Sequence, residues 1–72
     1  MILCPYCEQD VVWDVSMNQF PDKKYMMCFE CDTIWTESET VEYGTGKNFT
    51  TFMEMKGIKP DWQSIKKLRK LP

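Results

Sequence analysis

The chain has 72 residues, of which 43% are hydrophobic, 28% charged and 14% aromatic, and its formal net charge is -2. This composition excludes an intrinsically disordered chain, and the length allows one domain near the lower limit for a self-sufficient core. A domain of this size usually needs disulfides, a bound metal or a partner to stabilise it.

The charge is distributed unevenly along the chain. Residues 1–45 carry nine acidic residues against two lysines, a net charge of -7. Residues 46–72 carry two acidic residues against seven basic ones, a net charge of +5. The N-terminal segment has neither the basic region nor the apolar stretch of a secretory signal, and no apolar run is long enough to cross a membrane. We therefore expect a cytoplasmic protein that does not contact a membrane.

Three short segments in the first half have strand chemistry. Residues 11–15 are rich in β-branched and aromatic side chains, which predicts a strand. Residues 16–22 contain asparagine, proline and aspartate, and they predict a loop. Residues 24–27 and 33–36 are further strand candidates on either side of a cysteine pair.

The middle of the chain predicts one more pair of strands. Residues 40–43 and 48–55 are two extended candidates, and the segment 44–47 between them contains two glycines that suit a tight turn. We expect residues 38–56 to form an additional β-hairpin.

The last segment predicts an amphipathic helix over residues 61–71. Asp61 is a good N-cap residue, because its carboxylate can accept hydrogen bonds from the first-turn amides. Trp62, Ile65 and Leu68 recur at helical spacing. The other face and the C-terminal turn carry four cations, which suit the helix dipole: Lys66, Lys67, Arg69 and Lys70.

Four cysteines in two close pairs are the strongest signal in the sequence. Cys4 and Cys7 are separated by two residues, as are Cys28 and Cys31, and twenty residues lie between the pairs. A two-residue gap lets one tight turn aim two thiolates at one ion, and two such turns complete a tetrahedral shell. We predict one Zn²⁺, held by all four cysteines. Because four thiolates leave no position for water or substrate, the ion would be structural.

The Cys-Pro-Tyr-Cys and Cys-Phe-Glu-Cys turns resemble the two zinc knuckles of the zinc-ribbon family, over residues 1–37. The resemblance implies a small antiparallel sheet with the ion at one end. Ribbon knuckles usually carry glycine directly after the second cysteine, whereas Glu8 and Asp32 hold those positions in this chain.

Three other interpretations of the cysteines stay open at this point. The four thiols could form two disulfides in an oxidising compartment. Cys-Pro-Tyr-Cys is also the active-site motif of glutaredoxins, which requires a βαβ unit around it. Finally, a four-cysteine site could hold one iron ion, as in rubredoxin-like proteins, since spacing does not discriminate between the metals.

The amino-acid composition and motifs of the chain argue against catalysis. The chain has no histidine, which removes the usual general base and the common nucleophile pairs. The glycines at 44 and 46 precede Lys47, but the Walker spacing is missing, so we interpret them as a turn. We expect a protein that is not an enzyme.

A protein-binding function is our first hypothesis. A thin sheet is too small to bury ten aromatic residues, and exposed aromatic rings on an acidic surface suit a basic protein partner. The candidate binding residues are Trp13, Trp35, Glu37, Glu39, Glu42 and Tyr43. In size and charge the chain resembles bacterial immunity proteins and antitoxins, which implies an inhibitor of a basic nuclease toxin. The competing interpretation is that the aromatic residues belong to the core or are scattered on the surface.

Nucleic-acid binding is the alternative hypothesis, because many zinc ribbons contact nucleic acid. Its candidate residues are the cations of the predicted helix, Lys66, Lys67, Arg69 and Lys70. A pI near 5.0 and an acidic metal end oppose this function, and the cations could equally form a solvated helix face.

The sequence thus predicts a small metal-stabilised α+β domain spanning residues 1–72. Residues 1–37 form a zinc ribbon of antiparallel β-hairpins around the four-cysteine site, residues 38–56 a further hairpin, and residues 61–71 a basic C-terminal helix.

Overall fold

The computed structural model describes all 72 residues, which form an α+β domain. Five strands form one antiparallel sheet in the order β4-β3-β2-β1-β5. Its elements in chain order are β1 (Trp13–Met17), β2 (Phe20–Cys28), β3 (Thr33–Thr36), β4 (Lys47–Asn48), α1 (Phe49–Met55), a 3-10 turn (Trp62–Ser64) and β5 (Ile65–Lys70). None of the helical segments has the length and apolar character that a membrane crossing requires.

The sheet has a small hydrophobic cluster on each face, because successive strand residues point to opposite sides. Met27 and Ile34 are paired across β2 and β3 and belong to the larger cluster, which α1 covers with Phe49, Phe52 and Met53. The next residue on each strand, Cys28 and Trp35, belongs to the smaller cluster. Only 15 of the 72 residues are buried, so neither cluster is a large core.

The predicted C-terminal helix over 61–71 is wrong: the segment forms a 3-10 turn followed by β5. Asp61 does act as an N-cap, since its Oδ1 accepts a hydrogen bond from Gln63 N at 3.0 Å. The helical turn ends at Ser64 because β1 offers a free edge, and β5 pairs with it from Ile65 to Lys70 with one bulge. Tertiary pairing outweighs the helical spacing of the apolar residues.

The predicted hairpin over 38–56 is also wrong. Only Lys47–Asn48 is extended, and residues 49–55 form α1 in place of a strand. The Asn48 side chain caps this helix by accepting from Thr51 N at 3.2 Å. Phe49, Phe52 and Met53 lie at helical spacing, which buries all three against the sheet in a way that a strand would not.

Candidate metal centre

The two cysteine pairs lie in two turns at one end of the sheet. Before β1, the first turn is closed by hydrogen bonds from Cys4 N to Asp10 O at 2.8 Å and from Glu8 N to Cys4 O at 2.9 Å. The second turn connects β2 to β3, with Cys28 as the last residue of β2. Each turn therefore presents its thiols from backbone that is hydrogen-bonded on both sides.

The four sulfur atoms, of Cys4, Cys7, Cys28 and Cys31, lie within 4.8 Å of one another. The Sγ atoms of Cys4 and Cys31 are 3.6 Å apart, as are those of Cys7 and Cys28. A tetrahedral ion with metal–sulfur bonds of about 2.3 Å requires sulfur–sulfur distances of about 3.8 Å. The thiols thus have the number and the spacing that a tetrahedral metal ion needs, and the structure brings together all four predicted ligands.

This geometry argues against both alternatives that form disulfides. All four cysteines are free thiols, and the 3.6 Å separations far exceed the S–S bond length of about 2.05 Å. A glutaredoxin-like pair would need a parallel βαβ unit, whereas every strand pair in this sheet is antiparallel. Zinc and iron both accept a tetrahedral four-thiolate site, so this geometry is compatible with either metal.

Glu8 and Asp32 explain how the two turns close. Each follows the second cysteine of its pair, and each adopts the left-handed backbone conformation, with φ of 54° and 58°. This is the conformation for which glycine is best suited. Both positions therefore adopt the backbone conformation that a glycine would favour, although neither holds a glycine.

The protein environment shifts the thiol pKa values in opposite directions. Burial raises the pKa of Cys4 and of Cys28, although backbone N–H groups within each turn oppose the shift. The pKa of Cys7 is lowered, chiefly by the backbone N–H of Gln9. A metal ion must therefore displace protons from the two buried thiols, and its affinity will rise with pH.

Thr33 and Tyr6 support the centre, and the sequence patterns did not single them out. The Thr33 hydroxyl lies 3.0 Å from Cys31 Sγ and can donate to the thiolate. Tyr6, between the first two cysteines, accepts hydrogen bonds at its hydroxyl from Gly44 N at 2.8 Å and Gly46 N at 3.0 Å. Only the fold brings residues 6 and 44–46 together, so no local sequence signal identifies this contact.

The predicted protein-binding residues divide into two groups. Trp35 is completely buried, which contradicts its prediction as a surface anchor, and Trp13 is half-buried beneath Lys67. The Glu39 carboxylate accepts hydrogen bonds from Thr36 and forms an ion pair with Lys47. The remaining three residues are exposed and lie in the segment between β3 and β4: Glu37, Glu42 and Tyr43.

All four predicted nucleic-acid-binding cations are exposed, but they lie on β5 and not on a helix. Arg69 Nε contacts Asp14 Oδ2 at 2.8 Å. The ammonium groups of Lys67 and Lys70 lie 4.8 and 5.6 Å from the centre of the Trp13 ring. Lys66 takes part in neither of the two ion pairs of the chain.

Comparison of the sequence with family models and with curated proteins, and of the fold with solved structures, found no match.

Proposed function

We propose that this chain is a non-catalytic binding domain, stabilised by one structural Zn²⁺ ion and specialised for binding a protein. The four cysteines would hold the zinc in a ribbon-type site that is closed to water and substrate. Structural zinc contributes roughly 10–16 kcal/mol of apparent binding energy in small peptides. That is comparable with the whole stability of a small domain, so the ion would supply what two small hydrophobic clusters lack.

Metal analysis of the purified protein tests the zinc assignment. We expect one zinc ion per chain and a colourless protein, because Zn²⁺ has a filled d shell and no redox chemistry. An iron site of the same geometry would colour the protein and undergo one-electron reduction. Either metal would be saturated by the four thiolates, but an iron ion would make the site redox-active and would contradict a purely structural role.

The observation that carries the protein-binding proposal is the exposed ring of Tyr43. Tyr43 is 76% exposed, yet its ring packs against another ring: its centre lies 4.9 Å from that of Tyr6. An exposed aromatic ring held in one place is typical of the residues that dominate protein interfaces, since little conformational entropy is lost on binding.

The segment that carries Tyr43 is fixed by a dense set of hydrogen bonds. Tyr6 holds the backbone at Gly44 and Gly46. The Thr45 hydroxyl accepts from Trp35 Nε1 at 3.0 Å and lies 2.7 Å from the carbonyl of Thr40. These contacts anchor both sides of Tyr43 to the sheet, so the segment is preorganised for binding.

The charge next to Tyr43 favours a basic partner. Glu42 is its immediate neighbour, Glu37 is exposed in the same segment, and the metal end of the chain is acidic. Acidic surfaces steer basic proteins to the complex and raise the association rate. A basic nuclease inhibited by this chain is the most specific form of the proposal, in keeping with the size and charge of immunity proteins.

Affinity capture with matched variants tests the proposal. We expect the immobilised wild-type chain to retain a basic protein from a lysate of the cells that naturally produce the chain. Tyr43→Ala should weaken the complex by about 2 kcal/mol, as for an interface hot spot. Met55→Ala is the control, because Met55 is 74% exposed but lies at the end of α1. Retention of nucleic acid, lost on Lys66→Glu and unaffected by Tyr43→Ala, would instead establish the nucleic-acid alternative.

A further inference from the structure

Strand β5 leaves one complete backbone edge of the sheet without a partner. It is the last strand in the order β4-β3-β2-β1-β5, and it pairs only with β1. Alternate N–H and C=O groups of its six residues therefore point away from the sheet. Such an edge is a template for another extended chain.

The opposite edge offers no comparable template. Strand β4 has only two residues, Lys47 and Asn48, and α1 starts immediately after it. The chain continues into a helix that packs on one face of the sheet, so no run of unpaired backbone remains there. Of the two terminal strands of the sheet, β5 is therefore the one that offers a long run of unpaired backbone.

The side chains of β5 define the charge of the strand that can join it. Four of its six residues are cations, and all four are exposed: Lys66, Lys67, Arg69 and Lys70. Asp14, on the neighbouring strand, neutralises part of this charge through Arg69. The edge nevertheless remains strongly basic within a chain whose net charge is -2.

We propose that β5 binds an extended, acidic peptide segment as a sixth strand. Cross-strand pairs of opposite charge stabilise a sheet, whereas like charges directly opposite one another destabilise it. A second copy of this chain pairing β5 against β5 would place cations opposite cations. The cations of β5 therefore repel the β5 strand of a second copy and attract an acidic strand.

A bulge at Leu68 adds an apolar contact to this edge. Asp14 is paired with Arg69 and Val15 with Lys67, so Leu68 is the extra residue on β5. Leu68 is 48% exposed. A bulge interrupts the regular backbone edge and limits pairing with unrelated strands. The peptide that β5 binds is therefore short and combines acidic residues with an apolar one.

This surface is separate from the segment that carries Tyr43. That segment follows β3, whereas β5 forms the other edge of the sheet, with β2 and β1 between them. The proposal does not depend on the protein-binding function described above. Tyr43→Ala should leave binding at β5 unchanged, and Lys66→Glu should leave binding at Tyr43 unchanged.

The experiment is an NMR titration of the metal-loaded protein with a synthetic eight-residue peptide in which glutamate alternates with valine and threonine. We expect amide shifts concentrated at residues 65–70 and slower hydrogen exchange at the outward-facing amides of β5. The affinity should fall as salt is added.

Two controls separate strand addition from charge attraction alone. A peptide of identical charge, methylated on alternate backbone nitrogens along one edge, should bind at least tenfold more weakly because it loses its donors. Lys66→Glu should weaken the unmodified peptide roughly tenfold, whereas Lys59→Glu, an exposed lysine outside β5, should not.

Three results would overturn the proposal. Equal binding of the methylated peptide would show electrostatic attraction without strand pairing. Tighter binding of a single-stranded oligonucleotide at β5 would show a nucleic-acid surface. No binding of the peptide at low salt would show that the cations serve only to protect the edge.

Discussion

Glu8 and Asp32 adopt the same left-handed backbone conformation, with φ of 54° and 58°, each directly after the second cysteine of its pair. Neither residue has the conformational freedom of glycine, so both turns carry backbone strain. The two turns have thus reached equivalent geometries in spite of unfavourable residues. Each turn directs two thiols at the same point, where the four sulfur atoms lie within 4.8 Å of one another.

Replacing Glu8 with glycine should therefore stabilise the protein. Glu8 is exposed and takes part in neither ion pair, so its side chain contributes little. Release of the strain should raise the free energy of unfolding by about 0.5–1 kcal/mol, measured by urea denaturation of the metal-loaded protein.

Gln9→Gly is the control for this prediction, since Gln9 has a negative φ and glycine there should only destabilise the protein. Asp32→Gly should gain less, because Asp32 Oδ1 accepts from Trp62 Nε1 at 3.3 Å. Equal losses of stability in Glu8→Gly and Gln9→Gly would contradict the strain argument.

Removal of the Tyr6 hydroxyl should loosen the segment that carries Tyr43. Tyr6→Phe keeps the ring contacts but leaves the amides of Gly44 and Gly46 without their acceptor. We expect a loss of about 1–2 kcal/mol of stability and faster amide exchange at those two glycines. The same variant should weaken partner binding without removing any contact residue, because preorganisation is lost. Unchanged exchange at both glycines would mean that other contacts hold the segment.

The carboxylate of Glu39 should contribute stability that depends on pH. The backbone N–H of Thr36, together with Lys47, lowers the pKa of Glu39 from its ordinary value of 4.5. Because the folded-state pKa is the lower one, the contribution is complete above pH 4.5 and is lost as the pH falls through the folded-state value.

Glu39→Gln should therefore cost about 1 kcal/mol at pH 7 and progressively less in acid. The check is urea denaturation of this variant and of the wild type at matched pH values, together with NMR titration of the carboxyl group. Glu37→Gln is the control, because Glu37 is exposed and takes part in neither ion pair. A constant difference between wild type and Glu39→Gln from pH 7 to pH 3 would refute the assignment.

The sequence predicted the cluster of four cysteines and most of the central strands, because those signals are local. Cysteine spacing depends on one turn, and the β-branched residues near 11–15 and 33–36 correspond to β1 and β3. The helix α1 also had a local signal that our prediction overlooked: Asn48 as the N-cap, and apolar residues at positions 49, 52 and 53.

The C-terminal strand and the burial of Trp35 could not be predicted in this way. The apolar spacing from Trp62 to Leu68 suits a helix, and only pairing with β1 makes the segment a strand. Likewise, the burial of Trp35 depends on Tyr6, which lies 29 positions earlier in the chain. Both outcomes depend on contacts between distant segments, which a pattern within one window does not contain.

Chelation of the metal, followed by circular dichroism and native mass spectrometry, tests the central claim most directly. We predict one zinc ion per chain, loss of the folded signal when the ion is removed, and recovery when one equivalent of zinc is returned. A chain that keeps its fold after complete metal removal, or that is isolated without metal and with two disulfides, would contradict the account.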